Sequence, residues 1–163
     1  MSRTTILSCP VPASFEHVDW RRGMENLYTE IEMMETMEKR HVFHYTYPTS
    51  RLPLVILQRI GISRWFSRYT RIRNEMMISM RGDHLSFQIS LIAHPSFQVH
   101  GEIRLSPEEG VIHLHIREPV LEDRIFRILP QRMRQELVEF IYREIVRDAT
   151  HMFSDQTTDV PIK

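Results

Sequence analysis

Arginine and aromatic side chains are interleaved in one segment whose chemistry suits a phosphate-bearing partner. The window from Lys39 to Asn74 spans 36 residues, with eight Lys or Arg and no Asp or Glu. The planar guanidinium of arginine binds phosphate through paired hydrogen bonds, and aromatic rings stack on bases or lie at a membrane interface. The segment therefore predicts binding to an anionic membrane surface or to RNA, through Arg59, Arg64, Trp65, Arg68, Tyr69, Arg71 and Arg73.

Internal charge pairing is a second explanation of this window. The preceding stretch, Ser14 to Glu38, has seven acids against two arginines, while the whole chain has a formal net charge of +0. Charges separated in this way can serve an external partner, or they can pair two parts of one fold. Both explanations stay open. A third possibility is that the protein is a protein-interaction subunit or a homo-oligomer that docks through its segregated charges.

Histidines form the second group of candidate functional residues, because their imidazole rings can bind a metal ion. His113 and His115 lie two residues apart in an alternating run, so a strand places both on one face. The hairpin register described below sets Glu102 opposite His115, with His100 on the diagonal. Three imidazoles and a carboxylate could bind zinc or another divalent metal. The same pattern is also explained if these are partly exposed strand residues and Glu102 and His115 form a charged pair across two strands. We predict no metal or cofactor and keep these four residues only as a candidate metal site.

Residues for covalent or nucleotide chemistry are sparse. Cys9 lies between Ser8 and Pro10 with no histidine nearby in the sequence, which favours an inert thiol over a catalytic one. The five glycines are scattered, so none of them builds a phosphate-cradling loop. The sequence therefore predicts a binding protein and not an enzyme.

Length and composition bound the remaining possibilities. With 163 residues, 42% apolar and 26% charged, the chain is predicted to form one α+β domain over residues 1–163, with a polar flexible tail from about residue 154. Its one cysteine excludes an internal disulfide, and no apolar run approaches the ~20 residues of a membrane span. We expect an intracellular, cytoplasmic protein, or one at the membrane periphery. Nineteen arginines against two lysines and three alanines suit a compact viral genome.

Hydrophobic periodicity predicts the elements that must position these residues. Apolar residues at helical spacing predict an amphipathic helix from Asp19 to about Arg40. Alternation with period two predicts a strand over His41–Tyr47 and a four-stranded antiparallel meander over residues 75–117. A short helix is predicted within Leu54–Tyr69, and a long C-terminal helix is predicted to open at Pro130.

The register of the meander follows from keeping its apolar residues on one face. A slip of one residue would move every apolar side chain of a strand to the opposite face. The apolar sets of neighbouring strands coincide when the hairpins pair Ile78 with Leu85, Leu91 with Val99, and Ile103 with Leu114.

The predicted fold is α+β: a four-to-six-stranded antiparallel sheet (meander 75–117) packed against a long C-terminal helix and an N-terminal amphipathic helix. Its element order resembles in outline the helix-grip fold, in which a curved antiparallel sheet wraps a C-terminal helix. This resemblance implies an alternative function, a carrier or regulator of an apolar small ligand, with a cavity lined by Phe87, Ile89, Val99, Leu114 and Ile141. The combination of a sheet, flanking helices and a basic surface is also similar to matrix proteins of some negative-strand viruses, which implies a matrix-like or accessory viral protein.

Overall fold

The described part of the chain contains eight strands, two α-helices and two short 3-10 helices, Phe15–His17 and Thr49–Arg51. The computed structural model describes residues 2–52, 72–122, 127 and 129–157. Helix α1 is Trp20–Leu27 and helix α2 is Gln131–Thr157. The strands are β1 Arg3–Leu7, β2 Thr29–Met37, β3 Arg40–Tyr47, β4 Ile72–Arg81, β5 His84–Leu91, β6 Phe97–Ser106, β7 Val111–Ile116 and β8 Val120–Leu121. Among these residues, no helix is both long and apolar enough to cross a membrane.

All the strands belong to one antiparallel sheet. Its order is β1-β7-β6-β5-β4-β3-β2, and β8 pairs with β6. The predicted α+β class, the antiparallel sheet and the C-terminal helix are confirmed, and β4 to β7 form the predicted meander. The predicted count of four to six strands was too low, because β2 and the short β8 also join this sheet.

The predicted helix from Asp19 to about Arg40 is wrong in its second half. The apolar spacing that starts at Trp20 does form α1, but this helix ends at Leu27. At Tyr28 the backbone becomes extended, with φ −137° and ψ 164°, and the chain enters β2. The N-terminal amphipathic helix is therefore eight residues long, and the acidic residues after it lie on a strand.

This prediction was wrong because the hydrophobic residues after α1 fit both the 3.6-residue periodicity of a helix and the two-residue periodicity of a strand. Ile31 and Met34 continue the helical spacing, yet half-buried Ile31 and Met33 also alternate with the exposed Glu32. Pairing along β3 satisfies the backbone hydrogen bonds of β2. This long-range strand pairing outweighs the local preference for helix. Differences in helix propensity between residue types are worth only about a few tenths of a kcal/mol per residue.

The register of the meander is confirmed in its last hairpin and offset in the other two. Strands β6 and β7 pair Ile103 with Leu114 as predicted. The first two hairpins are displaced by two residues from the prediction, with pairs Ile78–Phe87 and Ile89–Val99. A two-residue displacement leaves every side chain on its predicted face. The first offset arises at the two-residue turn Gly82-Asp83, where Gly82 takes the left-handed φ of +60°.

The helices cover one face of the sheet and form the core with it. Strands β5 to β7 contribute the buried side chains of Leu85, Ile103 and Leu114, and α2 contributes Met133 and Leu137 from its predicted apolar stripe. Helix α1 contacts α2. The C-terminal helix runs on to Thr157, past the predicted start of the polar tail, and residues 158–163 lie outside the described part of the chain.

The free edge of the sheet at β2 is irregular and charged. Its pairing with β3 is broken by two register shifts, and Glu30 has a positive φ of 54°. Exposed Glu30 and Glu32 lie along the same edge. Bulges and charges of this kind hinder a second chain from adding to an open edge.

Candidate functional site

A small apolar cavity lies between the inner face of the sheet and the two helices. Its volume is ≈ 70 Å³, and it is partly open to solvent. Side chains from α1, from β4 to β7 and from α2 line it, among them Met24, Met76, Phe87, Leu114 and Met152. Because nearly all of the lining is hydrocarbon or thioether, the cavity suits an apolar group.

An aromatic cluster closes one end of the cavity. The rings of Trp20 and Phe153 meet edge to face with centroids 6.0 Å apart, and Phe15 packs against both. Trp20 and Phe153 also belong to the cavity lining. This cluster anchors the start of α1 to the last turns of α2, and so sets the distance between the two helices.

A carboxyl group marks the opposite end. Asp148 is the charged residue of the lining, and its side chain is 17% exposed. The Tyr28 hydroxyl donates a hydrogen bond to Asp148 Oδ2, while Arg51 Nη1 lies 3.5 Å from Asp148 Oδ1. Arg51 is held in place because its Nη2 donates to the Leu27 carbonyl at 3.1 Å and its guanidinium lies 5.3 Å from the centroid of the Tyr28 ring. Arg51 therefore connects the end of α1, the exit of β3 and the middle of α2.

Two more tyrosines extend this polar end. Tyr45 is buried with its ring centroid 4.3 Å from that of Tyr28, and it hydrogen-bonds to Asn74. The Tyr47 hydroxyl donates to Glu144, one helical turn before Asp148 on α2. Asp148 and Glu144, one turn apart on α2, thus each accept a hydrogen bond from a tyrosine hydroxyl.

Burial sets the protonation states of these groups. It raises the pKa of Asp148 from 3.8 to about 6; the Tyr28 hydrogen bond opposes that rise, the nearby Glu144 adds to it, and Arg51 and Arg147 oppose it. Burial also raises the pKa of Tyr28, which keeps its hydroxyl protonated and able to donate. At neutral pH the site therefore combines a carboxylate, a guanidinium and neutral phenols at one end of an apolar cavity.

Comparison with known proteins identifies the fold and no family. No protein-family model matches the chain, and no curated protein matches it. The fold is similar to the crystal structure of TTHA0849 from Thermus thermophilus, with a TM-score of 0.57 over 99% of each chain. At 12% sequence identity this likeness concerns the fold alone.

The raised pKa of Asp148 predicts a pH-dependent stability. An unfolded aspartate has a pKa near 3.8, so folding favours the protonated form of Asp148. This contribution is fully present below about pH 4 and is lost as the pH rises through about 6. We expect the free energy of unfolding of the wild type, relative to Asp148→Asn, to fall by on the order of 2–3 kcal/mol between pH 4 and pH 7, since each pKa unit is worth about 1.4 kcal/mol. Urea unfolding at several pH values measures this difference.

The matched control for this experiment is Asp83→Asn, which neutralises an exposed carboxyl in the β4–β5 turn. Other acids titrate over the same pH range, so only the difference between wild type and variant isolates one carboxyl. If the wild type and Asp148→Asn show parallel pH profiles, the desolvation of Asp148 described above is wrong.

Most of the predicted anionic-partner residues lie outside the described part of the chain. These are Arg59, Arg64, Trp65, Arg68, Tyr69 and Arg71, together with the helix predicted within Leu54–Tyr69. Arg73 is described, and it contacts the protein's own acids along the β2 edge of the sheet. Its Nη1 donates to the Glu30 carbonyl at 2.7 Å and to Thr46 Oγ1 at 2.9 Å, and its guanidinium lies 3.9 Å from the carboxylates of Glu30 and Glu32. Arg73 is therefore part of an internal charge network.

Two further arginines of the basic window behave in the same way. Arg40 lies 3.8 Å from Glu35, and Arg51 pairs with Asp148. Each arginine of the basic window that the structure describes is therefore paired with an acidic residue of the same chain. Their acidic partners lie on β2 and α2, whereas the sequence had predicted a long first helix for the acids of β2.

The candidate metal residues occupy one region of the sheet but are bonded elsewhere. Glu102 does lie opposite His115 in the register, as predicted. His115 Nδ1 nevertheless hydrogen-bonds to Thr4 Oγ1 at 2.7 Å, while Glu102 pairs with Arg117 at 3.4 Å. His100 bonds to Gln98, and His113 lies 3.6 Å from Glu109. Within the described ranges, no group of three or more His, Cys, Asp or Glu side chains could hold a metal ion.

Sequence reasoning missed the polar end of the cavity, although a signal was present. Asp148 lies three residues after Ile145 and four before Met152, on the apolar stripe of α2. A charged residue on a buried stripe needs a partner, and this is the pattern that marks a site. Tyr28 gave no comparable signal, because the sequence placed it inside a continuous helix.

Proposed function

We propose that this protein is a non-enzymatic carrier or regulator that binds a small, mainly apolar molecule between its sheet and α2. The observation that carries the proposal is the cavity, which is apolar over its walls and polar at one end. Phe87, Ile89 and Leu114, three of the residues expected to line such a cavity, belong to its lining. Small-molecule sites typically combine apolar walls with a few fixed polar groups, as here.

The size of the cavity limits the ligand. A volume of ≈ 70 Å³ is about half that of an engineered 150 Å³ cavity that accepts benzene. Three flexible methionines, Met24, Met76 and Met152, contribute to its walls. Methionine has three rotatable bonds and repacks at low cost, so rotamer changes can enlarge the cavity for a compact ligand. We therefore expect a ligand of modest size that selects an expanded arrangement of these side chains.

Binding to RNA or to an anionic membrane, through Arg59, Arg64, Trp65, Arg68, Tyr69, Arg71 and Arg73, stays a prediction. The described arginines do not favour it, because Arg40, Arg51 and Arg73 are engaged with the protein's own acids. The cavity is the feature of the described residues that ordinary core packing does not require, since most protein cores leave little room beyond that of a water molecule.

Ligand entry can be tested with methionine methyl groups as reporters. In protein labelled with ¹³C at the methionine methyls, benzene is expected to shift the signals of Met24, Met76 and Met152 in a saturable manner, because all three line the cavity. In parallel, an organic extract of the purified protein can be examined by mass spectrometry for a retained apolar molecule. Absence of both a saturable shift and a retained molecule would contradict the proposed function.

The chain offers a matched pair of variants for this test. Ala149→Leu adds three carbons to the wall of the cavity on α2, whereas Ala93→Leu makes the same change at an exposed position between β5 and β6. We expect Ala149→Leu to weaken benzene binding at least tenfold by occupying the space, and Ala93→Leu to leave it unchanged. Equal binding by the two variants would place the benzene elsewhere.

A further inference from the structure

Asp148 lines the cavity and Arg51 lies directly beside it, and each has one polar atom without a hydrogen-bond partner. Asp148 Oδ1 and Arg51 Nη1 are both buried, and neither has a hydrogen-bond partner among the described residues. They are 3.5 Å apart, and this approach is not aligned as a hydrogen bond. Buried groups of this kind normally find a partner, since leaving one unpaired costs about 1–3 kcal/mol by measured precedent.

The surrounding contacts fix which atoms are left over. The Tyr28 hydroxyl engages Asp148 Oδ2, and the Leu27 carbonyl engages Arg51 Nη2. Asp148 is itself a lining residue of the cavity. The acceptor Oδ1 and the donor Nη1 are therefore the unsatisfied atoms of the Asp148–Arg51 pair.

Taking the proposed function as its basis, we infer that the ligand carries a hydroxyl group that binds at Asp148. A hydroxyl is the small uncharged group that donates one hydrogen bond and accepts others through the same oxygen. It can donate to Asp148 Oδ1 and accept from Arg51 Nη1, which satisfies both atoms with one oxygen. The class of ligand is thus a compact phenol or alcohol whose hydrocarbon part lies against the methionines and Phe87.

Other polar groups fit this end less well. A ketone or ether oxygen accepts but cannot donate, so Asp148 Oδ1 would stay unpaired. A ligand carboxylate would face the like charges of Asp148 and Glu144, and a ligand ammonium would face Arg51. A plain hydrocarbon fills the apolar walls but leaves both polar atoms unsatisfied.

Benzene and phenol form a matched pair of probes, because they differ by one hydroxyl group. Phenol is the more water-soluble of the two, so an apolar cavity with no partner for its hydroxyl should favour benzene. We expect wild-type protein at pH 7.5 to bind phenol roughly tenfold more tightly than benzene, the ratio expected for one hydrogen bond to a charged group. The methyl signals of Met24, Met76 and Met152 give both dissociation constants in the same assay.

The variants Asp148→Leu and Asp148→Asn assign the effect to one residue. Asp148→Leu should still bind benzene, which shows that it is folded with its cavity intact, but it should lose the preference for phenol. Asp148→Asn keeps an uncharged acceptor and should retain only part of the preference. Asp83→Asn, at an exposed turn, should behave as the wild type.

The possible outcomes separate this inference from the function on which it rests. If wild-type protein binds benzene at least as tightly as phenol, the hydroxyl inference is overturned while the apolar carrier function stands. If phenol is preferred equally by wild type and Asp148→Leu, the assignment to Asp148 is overturned. If neither probe binds, the hydroxyl inference is overturned, and the proposed function is overturned with it when the organic extract also holds no retained apolar molecule.

Discussion

Replacing Phe153 with alanine is expected to lower the free energy of unfolding by about 3–5 kcal/mol, the range measured for buried aromatic truncations. Phe153 is 1% exposed, and its ring centroid lies 6.4 Å from that of Phe15 and 6.0 Å from that of Trp20. Alanine would leave a void where α1 meets α2, and the sheet behind it cannot collapse to fill that space. Chemical denaturation followed by far-ultraviolet circular dichroism measures the loss.

His151→Ala provides the control for this experiment, because His151 is exposed two residues earlier on the same helix. Its effect should stay within about 0.5 kcal/mol. Phe153→Leu keeps much of the buried volume and should fall between the two. Equal stabilities of Phe153→Ala and His151→Ala would show that the aromatic cluster does not hold the helices together.

Replacing Gly101 with valine is expected to cost about 3 kcal/mol of stability, the upper end of the usual range for an overpacked core, and to close the cavity. Gly101 lies on β6 opposite Phe87 of β5. A Cβ at Gly101 would come within 2.6 Å of Phe87 Cε1 and 2.8 Å of the His115 carbonyl oxygen, both far inside ordinary contact distance. The backbone oxygen cannot give way, so the Phe87 ring must move, and this ring is part of the cavity wall. Denaturation and benzene titration measure the two effects.

Glu102→Val tests whether valine itself is the problem, because Glu102 is the next residue of β6 and lies on the exposed face. We expect it to alter stability by no more than about 0.5 kcal/mol. Phe87→Ala combined with Gly101→Val removes the ring that clashes, so the two changes together should cost less than the sum of their separate effects. Strict additivity of the two changes would contradict the close approach of Phe87 to Gly101.

The parts of the fold that could be predicted are those whose hydrophobic residues follow one periodicity only, either that of a helix or that of a strand. Leu85, Phe87 and Ile89 alternate strictly with polar residues, and only a strand with one buried face accommodates that pattern. The run after α1 is different, because Ile31 belongs to a helical and to an alternating series at once. Whether this run forms a helix or a strand depends on its pairing with β3, and that contact exists only in the folded structure.

The candidate site was harder to predict than the fold, for a physical reason. Its polar end is assembled from Tyr28, Arg51 and Asp148, which lie far apart in sequence and meet only when α2 packs over the end of β3. Composition drew attention to Arg51 as one of eight basic residues, but the same composition pointed to an external anion. The partner of an arginine is a property of the folded arrangement, and a local excess of charge does not reveal it.

The position of β1 in the sheet has a consequence for the biosynthesis of the chain. This strand pairs with β7, and the hydrogen bond between Thr4 and His115 joins residues 111 positions apart. On a ribosome that adds 5–20 residues per second, β1 waits on the order of ten seconds for its partner. Helix α2 follows later still, so the apolar face that becomes the cavity wall is uncovered until α2 has been synthesised. The nascent chain is therefore exposed to aggregation and chaperone binding until α2 closes over the sheet.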